Sequence, residues 1–253
     1  MKSQLFRLFA GVLCLSAALG LGRTASTVAA ATAIASHSAR TTTPAFAPSR
    51  IDLAAAATEG VRIDVLRMAI GAVACATASG DIEHPSTLTV IDYSKPSLEP
   101  RLWVFDMEIG KLLFKELVAH GKNTGENMAA RFSDDMNSRQ SSLGLFVTAD
   151  TYVGNNGYSL RLDGLEPGFN ARARERAIVM HGAPYVDARI AASNGRLGRS
   201  WGCPALREAV AHEVIDTIRG GGVIFSYYPD PTWLHASRFL NGCGAPAATL
   251  ATN

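Results

Sequence analysis

The most constraining feature of this chain is a series of short apolar stretches between residues 87 and 228. Each has five to eight residues, and Gly, Asn, Asp and Ser cluster between them. Lengths and separators of this kind are typical of the strands of a β-sandwich or barrel. The stretches are residues 88–93, 102–106, 112–119, 144–148, 158–162, 176–180 and 223–228. The sequence therefore predicts a mainly β domain.

Two helical patterns flank these strands. Residues 59–76 place apolar side chains at i, i+4, i+7 and i+8, and residues 206–218 keep one apolar face. Pro204 suits the first position of the second helix, which puts Cys203 at its N-cap. The predicted fold class is α+β: a mainly β sandwich or barrel with flanking helices and a cysteine at a loop-helix junction.

The first residues have the features of a secretory signal. Lys2 and Arg7 precede an apolar run, and small-residue cleavage sites follow between residues 26 and 33. The run has roughly 14 residues, and a membrane span needs about 20. A cleaved signal over residues 1–26 is therefore favoured over an uncleaved anchor. This predicts a periplasmic protein without stable membrane insertion.

The rest of the chain divides into four predicted segments. Residues 27–58 are rich in Ala, Thr, Ser and Pro without an apolar period, which predicts a flexible linker. An N-terminal helix and its connector follow over residues 59–85. The β-rich domain covers residues 86–230, and a C-terminal tail covers residues 231–253.

Charge and motif content exclude several classes of partner. The formal charge of the whole chain is +2, and removal of residues 1–26 takes away three basic residues and no acid, which leaves −1. A nearly neutral protein gives no support for nucleic-acid binding. No glycine-rich phosphate loop opens a helix after a strand, and no closely spaced ligand set is present. Neither a cofactor nor a metal is expected.

Three cysteines remain after the predicted signal: Cys75, Cys203 and Cys243. In an oxidising compartment an odd number leaves one thiol without a partner in the chain. A disulfide between Cys75 and Cys243 would keep Cys203 free and tie the N-terminal helix to the C-terminal tail. The alternative is that all three are unpaired.

Cys203 and His181 form the candidate catalytic pair. Each lies next to a glycine, and Cys203 comes 22 residues after His181. Alone, Cys203 is more often a small buried apolar residue, and His181 is as readily a core histidine. Together they suit thiol acyl transfer, because a helix N-terminus and an imidazole both lower a thiol pKa.

The segments around this pair resemble the catalytic segment of the L,D-transpeptidase (YkuD-type) family. They are Ala177–Gly182 and Gly198–Pro204, and Ser141–Phe146 resembles the family's Thr-Pro-x-Gly-x-Phe strand. The resemblance covers roughly residues 86–228. Where the family usually has a histidine before Gly-Cys, this chain has Trp201. Its Ser-Trp-Gly-Cys-Pro sequence is similar to that of a divergent branch of murein L,D-transpeptidases.

The resemblance implies an enzyme that cross-links peptidoglycan stem peptides. His181 would take the proton of Cys203, which would attack the carbonyl of an L-to-D peptide bond in a donor stem and form a thioester. An acceptor amine would resolve the thioester. Backbone N–H groups near Gly202 and Cys203 would hold the oxyanion, and the carbonyl of Gly182 would orient the imidazole.

The resemblance also implies a linkage and an inhibitor. The Trp201 branch favours the 1-3 linkage (L-Ala to diaminopimelate), with the 3-3 linkage also open. An activated thiol should be acylated by a carbapenem, although Trp201 narrows the cleft.

Further residues are candidates for holding the oxyanion or the substrate. The arginines are candidates for a substrate carboxylate or for an ordinary solvated loop. The second histidine is a candidate polar contact or a residue that orders its turn, and the tyrosines line the cleft or pack the core. These candidates are Ser200, Trp201, Arg196, Arg199, His120, Tyr158 and Tyr185.

Three functions remain open: a transpeptidase, an L,D-carboxypeptidase or endopeptidase, and a non-catalytic peptidoglycan-binding module. The order of histidine before cysteine argues against NlpC/P60-type and papain-like hydrolases. The Thr-Leu-x-Thr-Cys strand end of sortases is absent. Both enzymes, unlike the binding module, require the Cys203 thiol.

Overall fold

The structure is a computed structural model that describes residues 50–243. The predicted signal segment, residues 27–49 of the predicted linker and residues 244–253 lie outside the described residues. The helices are α1 (Leu53–Thr58), α2 (Ile63–Ala78), α3 (Ala188–Asn194), α4 (Glu208–Ile218), α5 (Pro231–Ala236) and α6 (Arg238–Asn241). The strands are β1 (Thr87–Asp92), β2 (Leu102–Asp106), β3 (Leu112–Glu116), β4 (Val118–Ala119), β5 (Gly144–Gly154), β6 (Gly157–Gly164), β7 (Val179–Gly182), β8 (Ala205–Leu206) and β9 (Val223–Tyr227).

All nine of these strands belong to one sheet, in the order β3-β2-β1-β9-β5-β6-β7-β8-β4. The two edge strands, β3 and β4, are separated along the chain by Leu117 alone. Since consecutive Cα atoms are only about 3.8 Å apart, the two edges must lie close together, and the sheet is nearly closed like a barrel. The predicted mainly β fold with flanking helices is confirmed.

The centre of the sheet is buried on both faces. β1 and β9 pair in parallel, and their side chains alternate between two apolar cores. Val90 and Phe225 belong to the core that packs against α2, whereas Ile91 and Ile224 belong to the core that packs against α4. Continuous apolar runs are what strands covered on both faces require.

The predicted linker and first helix differ from the structure at their boundary. Residues 53–58, expected to be flexible, form α1, because the Asp52 side chain accepts hydrogen bonds from the first helical N–H groups and Ala56 is buried. The helix expected over residues 59–76 is α2, which begins at Ile63.

The segment expected to be a C-terminal tail is folded as far as residue 243. α5 and α6 bury Trp233 and Phe239 against α2 and the sheet. The Trp233 indole N–H donates to the Glu166 carboxylate over 3.1 Å, which anchors α5. Cys75 and Cys243 form the predicted disulfide, with a Cα–Cα distance of 5.5 Å. Cys203 is the free cysteine among the described residues.

None of the helices within residues 50–243 is long and apolar enough to cross a membrane.

The disulfide should contribute substantially to stability, because it closes a loop of 168 residues. We expect the double variant Cys75→Ser/Cys243→Ser to lower the free energy of unfolding by about 2–5 kcal/mol in urea titrations. Reduction of the wild type should reproduce this loss, whereas Cys203→Ser should not. Equal stability of the double variant and the wild type would contradict the disulfide.

Candidate active site

The parallel pairing of β7 with β8 brings the two candidate catalytic residues together. His181 lies on β7 and pairs with Ala205, the first residue of β8, two residues after Cys203. This register places Cys203 beside Val179, whose N–H points to the Cys203 Sγ over 3.5 Å. Among the described contacts, the sulfur has no hydrogen bond with the His181 ring. The thiol and the imidazole therefore lie on paired segments without a hydrogen bond between them.

Cys203 does not cap a helix, contrary to expectation. α4 begins at Glu208, and its N-cap is Arg207. The intervening Ala205 and Leu206 are extended because β8 pairs with β7 on one side and with β4 on the other. The positive end of the helix dipole is therefore not available to the thiol.

The thiol is buried and protonated in this state. Cys203 is only 8% exposed, and burial raises its pKa. The Val179 N–H, the positive charge of Arg176 and the N–H of Cys203 itself oppose that shift without overcoming it. The sulfur donates to the Ala177 carbonyl over 3.7 Å, and Ala177 has a left-handed backbone (φ 53°) that is rare outside glycine. The expected lowering of the thiol pKa is thus wrong for this state.

His181 has the tautomer that a general base requires. Its Nδ1 lies 2.8 Å from the Gly182 carbonyl oxygen. Because a carbonyl can only accept, Nδ1 carries the proton, and Nε2 keeps a free lone pair. Burial lowers the pKa of His181, so the ring is neutral at neutral pH. The predicted contact between Gly182 and the imidazole is confirmed.

Ser200 shapes the loop that precedes the nucleophile. Its hydroxyl donates to the Cys203 carbonyl over 2.6 Å and accepts from the Gly202 N–H over 3.1 Å. Its backbone N–H donates to the His120 carbonyl over 3.0 Å. Gly202, a predicted oxyanion donor, therefore uses its N–H inside the loop in this state, so the oxyanion role stays a prediction.

Ser141 holds the same loop from the opposite side, a role that the sequence did not suggest. Its hydroxyl donates to the Gly202 carbonyl over 3.1 Å and accepts from the Gly121 N–H over 3.0 Å. Gly202 has φ 125°, and a Cβ there would lie 2.8 Å from the Gln140 carbonyl oxygen. Only glycine fits this position.

His120 is not placed to contact a substrate. It is 1% exposed, its Nδ1 lies 2.8 Å from the Arg101 guanidinium, and its Nε2 lies 3.3 Å from the Gly125 carbonyl oxygen. Burial and then the charge of Arg101 lower the pKa of His120 to about 4. The neutral ring orders the turn after β4, which was the alternative role.

Arg196 and Arg199 bind a carboxylate of the protein itself. Both guanidinium groups form ion pairs with Glu126, at 2.7 Å and 2.8 Å. Arg199 also donates to the Gly125 carbonyl over 2.9 Å. Their expected role toward a substrate carboxylate is replaced by a link between two loops.

The two candidate tyrosines lie in different places. Tyr158 packs against α4, where its hydroxyl donates to Asp216 over 2.6 Å and its ring stacks on His212. These contacts with α4 correspond to the packing role, which was the alternative to lining the cleft. Tyr185 packs on Gly198. Burial, and then the proximity of a Cys203 thiolate, raise the pKa of Tyr185 to about 12.

Arg176 is a further residue of the site that sequence reasoning missed. Its side chain is 3% exposed and lies 3.6 Å from Asp134. The guanidinium donates to the Gln140 carbonyl over 2.7 Å and to the Ser142 hydroxyl over 2.6 Å. It orders residues 133–142 through these hydrogen bonds. Its positive charge also lowers the pKa of the Cys203 thiol, against the larger effect of burial. No local pattern marks it in the sequence.

The described residues contain no group of three or more His, Cys, Asp or Glu side chains that could hold a metal ion.

Comparison with known families identifies the class of protein. A family model described as the L,D-transpeptidase catalytic domain (YkuD_2) matches residues 57–227, which is more than half of the chain. The chain therefore belongs to the L,D-transpeptidase family. No curated protein matches it significantly.

Solved structures of similar fold are distant in sequence. An L,D-transpeptidase from Mycobacterium smegmatis is 16% identical (TM-score 0.37), with 56% of this chain and 59% of that chain aligned. The L,D-transpeptidase LdtMt1 in complex with imipenem is 17% identical (TM-score 0.35), with the same shares aligned. The helical cell shape determining protein Pgp2 from Campylobacter jejuni is 14% identical (TM-score 0.38), with 58% and 49% aligned. The chain spans less than two thirds of each of these proteins.

The raised pKa of Cys203 predicts slow alkylation in the absence of substrate. Because the thiolate is the reactive form, a higher pKa leaves less of it at any given pH. We expect iodoacetamide to label the native protein more slowly at pH 7 than the urea-unfolded protein, with the native rate still rising above pH 9. Intact mass spectrometry measures both rates, with Cys203→Ala as the blank. A native rate that levels off below pH 8 would contradict the buried, protonated thiol.

Proposed function

We propose that this protein is a cysteine-dependent peptidoglycan L,D-transpeptidase, with Cys203 as nucleophile and His181 as general base. Family membership supports the class of reaction. The observation that carries the assignment of residues is the free thiol beside a strand whose neutral imidazole has Nδ1 fixed by the Gly182 carbonyl. An acceptor lone pair on Nε2 is what deprotonation of a thiol requires.

Acylation begins with a change at the sulfur. The S–H leaves the Ala177 carbonyl and turns toward His181 Nε2, which takes its proton. The sulfur then attacks the carbonyl carbon of the L residue in an L-to-D bond. As the C–N bond breaks, the imidazolium returns the proton to the leaving nitrogen, and a thioester remains.

Deacylation repeats these steps with a second stem. The amine of the acceptor gives a proton to Nε2 and attacks the thioester carbonyl, which forms the new amide and releases the Cys203 thiol. Water in place of the amine gives hydrolysis, so L,D-carboxypeptidase activity is the side reaction of the same site. The donor and acceptor are both peptidoglycan stems, and no cofactor takes part.

We infer the 1-3 linkage as the main product and the periplasm as the compartment. The linkage rests on the Ser200-Trp201-Gly202-Cys203 sequence, which is similar to that of the divergent branch. The Cys75–Cys243 disulfide supports an oxidising compartment outside the cytosol.

Digestion of purified murein tests the function. We expect the wild type to form new dimers, seen by liquid chromatography and tandem mass spectrometry, with fragments that identify a 1-3 linkage. Cys203→Ala should lower the rate by about 10³-fold or more, and His181→Ala by about 10²–10⁴-fold. Tyr158→Phe, which removes only the hydroxyl that donates to Asp216 on α4, is the matched control and should keep full activity.

The products separate the alternatives. Trimmed monomers without dimers would indicate an L,D-carboxypeptidase or endopeptidase. Dimers joined between third residues would replace the 1-3 assignment with the 3-3 assignment. Unchanged murein with all variants would favour a binding module.

A carbapenem should acylate the same thiol. We expect incubation with imipenem to add the mass of one inhibitor molecule to the wild type and none to Cys203→Ala. Because the thiol is buried and protonated at rest, acylation should accelerate as the pH rises from 6 to 9. An unmodified wild-type protein at all pH values would argue against an activatable nucleophile.

A further inference from the structure

Trp201 and Arg139 form an exposed pair beside the nucleophile. Trp201 is 72% exposed, although it lies two residues before the buried Cys203. The Arg139 guanidinium carbon lies 4.8 Å from the centre of the Trp201 ring. A guanidinium at this distance is attracted to the face of an indole. Neither side chain has a part in the catalytic steps described above.

The backbone of Arg139 is held firmly against the nucleophile loop. Its carbonyl accepts the N–H of Asn123 over 3.0 Å, and its φ of 55° is in the left-handed region. The carbonyl oxygen of the next residue, Gln140, accepts a hydrogen bond from Arg176. The same oxygen lies so near Gly202 that a Cβ there would be 2.8 Å from it. Such a conformation at a non-glycine residue persists only where the surroundings impose it. The loop therefore fixes the backbone from which the Arg139 side chain reaches Trp201.

Arg139 differs from the other arginines of the site in its charge balance. Arg176 is paired with Asp134, and both Arg196 and Arg199 are paired with Glu126. Arg207 is paired with Glu116. Within residues 50–243, the guanidinium of Arg139 forms no ion pair and no hydrogen bond, and the residue is exposed. It lies over the Trp201 ring and is otherwise unpaired among these residues, so its N–H groups are free to bind an anion.

The proposed reaction supplies a matching anion. In a peptidoglycan stem, the D residue after the attacked carbonyl has a free carboxylate on the carbon that bears the leaving nitrogen. In the 1-3 reaction this is the α-carboxylate of D-Glu, which continues the chain through its side chain. In the 3-3 reaction it is the terminal carboxylate of D-Ala. One cation beside the nucleophile therefore suits both donors.

We propose that Arg139, lying over the ring of Trp201, binds this carboxylate of the donor stem and so selects the D residue on the leaving side of the bond. The inference rests on the proposed function and adds the substrate group that this site recognises. A planar guanidinium can bind a carboxylate through two parallel N–H bonds, which an ammonium cannot do. The indole keeps the guanidinium in one orientation. Trp201 is thus a positioning residue, and Arg139 is a substrate-binding residue.

The test changes both partners of the contact. Synthetic donors for the 1-3 and 3-3 reactions are prepared with this carboxylate free or as its amide, and kcat/KM is measured by mass spectrometry of the products. For the wild type, we expect amidation to lower kcat/KM by about 10- to 100-fold. Arg139→Gln should lose a similar factor on the free acid and should no longer distinguish acid from amide.

Further variants separate binding from structure. Arg139→Lys should recover only part of the acid preference, and Trp201→Leu should weaken that preference while the guanidinium remains. Arg131→Gln, at another exposed arginine of the same connection, is the matched control and should behave as the wild type. Labelling of Cys203 by neutral iodoacetamide and the thermal unfolding midpoint should be unchanged in Arg139→Gln if the loop stays folded.

The outcomes are distinguishable. A wild type that uses acid and amide donors equally, or an Arg139→Gln variant that keeps the preference, overturns the role of Arg139 alone. A wild type that consumes none of the donors overturns the proposed function, and with it the substrate assigned to Arg139. Faster labelling of Cys203 together with a lower thermal unfolding midpoint in both Arg139 variants would show a structural role and would also overturn the proposal.

Discussion

The site depends on two residues of parallel β-pairing. His181 pairs with Ala205 and Gly182 pairs with Leu206, and this short ladder is the contact that brings the strand of the histidine to the loop of the cysteine. β8 also pairs with β4 on its other side, and both of its side chains are fully buried. A two-residue strand is stable only between two neighbours that satisfy its backbone groups. The near closure of the sheet provides those neighbours, so the geometry of the candidate site depends on the barrel as a whole.

A buried polar network gives the nucleophile loop one conformation. Ser200 and Ser141 bind the backbone on both sides of Gly202, while Arg176 fastens the facing loop. Buried polar groups without partners are costly, so a loop with this many satisfied groups resists rearrangement. The same burial raises the thiol pKa. The loop is thus ordered, and its buried thiol is protonated at rest. In the proposed reaction, the thiol loses its proton when it turns toward His181.

Among the described residues, most arginines of the site are neutralised by carboxylates of the protein, whereas Arg139 is not. Glu126, Asp134 and Glu116 each hold arginines that would otherwise attract any anion. The exposed surface beside Cys203 is then dominated by the indole of Trp201 and the guanidinium above it. In the proposed reaction the anion lies next to the scissile bond, so a single cation suffices to orient the donor.

The sequence by itself determined the mainly β fold and most strands to within a few residues, and it singled out His181 and Cys203 as the candidate catalytic pair; it offered the Cys75–Cys243 disulfide as one of two alternatives, and the structure contains it. These follow from local periodicity, cysteine counting and motifs that are contiguous in the chain. The prediction that a helix begins at Pro204 was wrong. Residues 205 and 206 are extended because they pair with β4 and β7, which lie far away in the sequence. For Arg196 and Arg199 the sequence offered a substrate carboxylate or a solvated loop, and it did not indicate their ion pair with Glu126, because Glu126 lies some 70 residues earlier. Only the tertiary structure decided the thiol pKa, the roles of Ser141 and Arg176 and the pairing of Arg139 with Trp201, because burial and charge balance are set by side chains that meet only when the sheet closes.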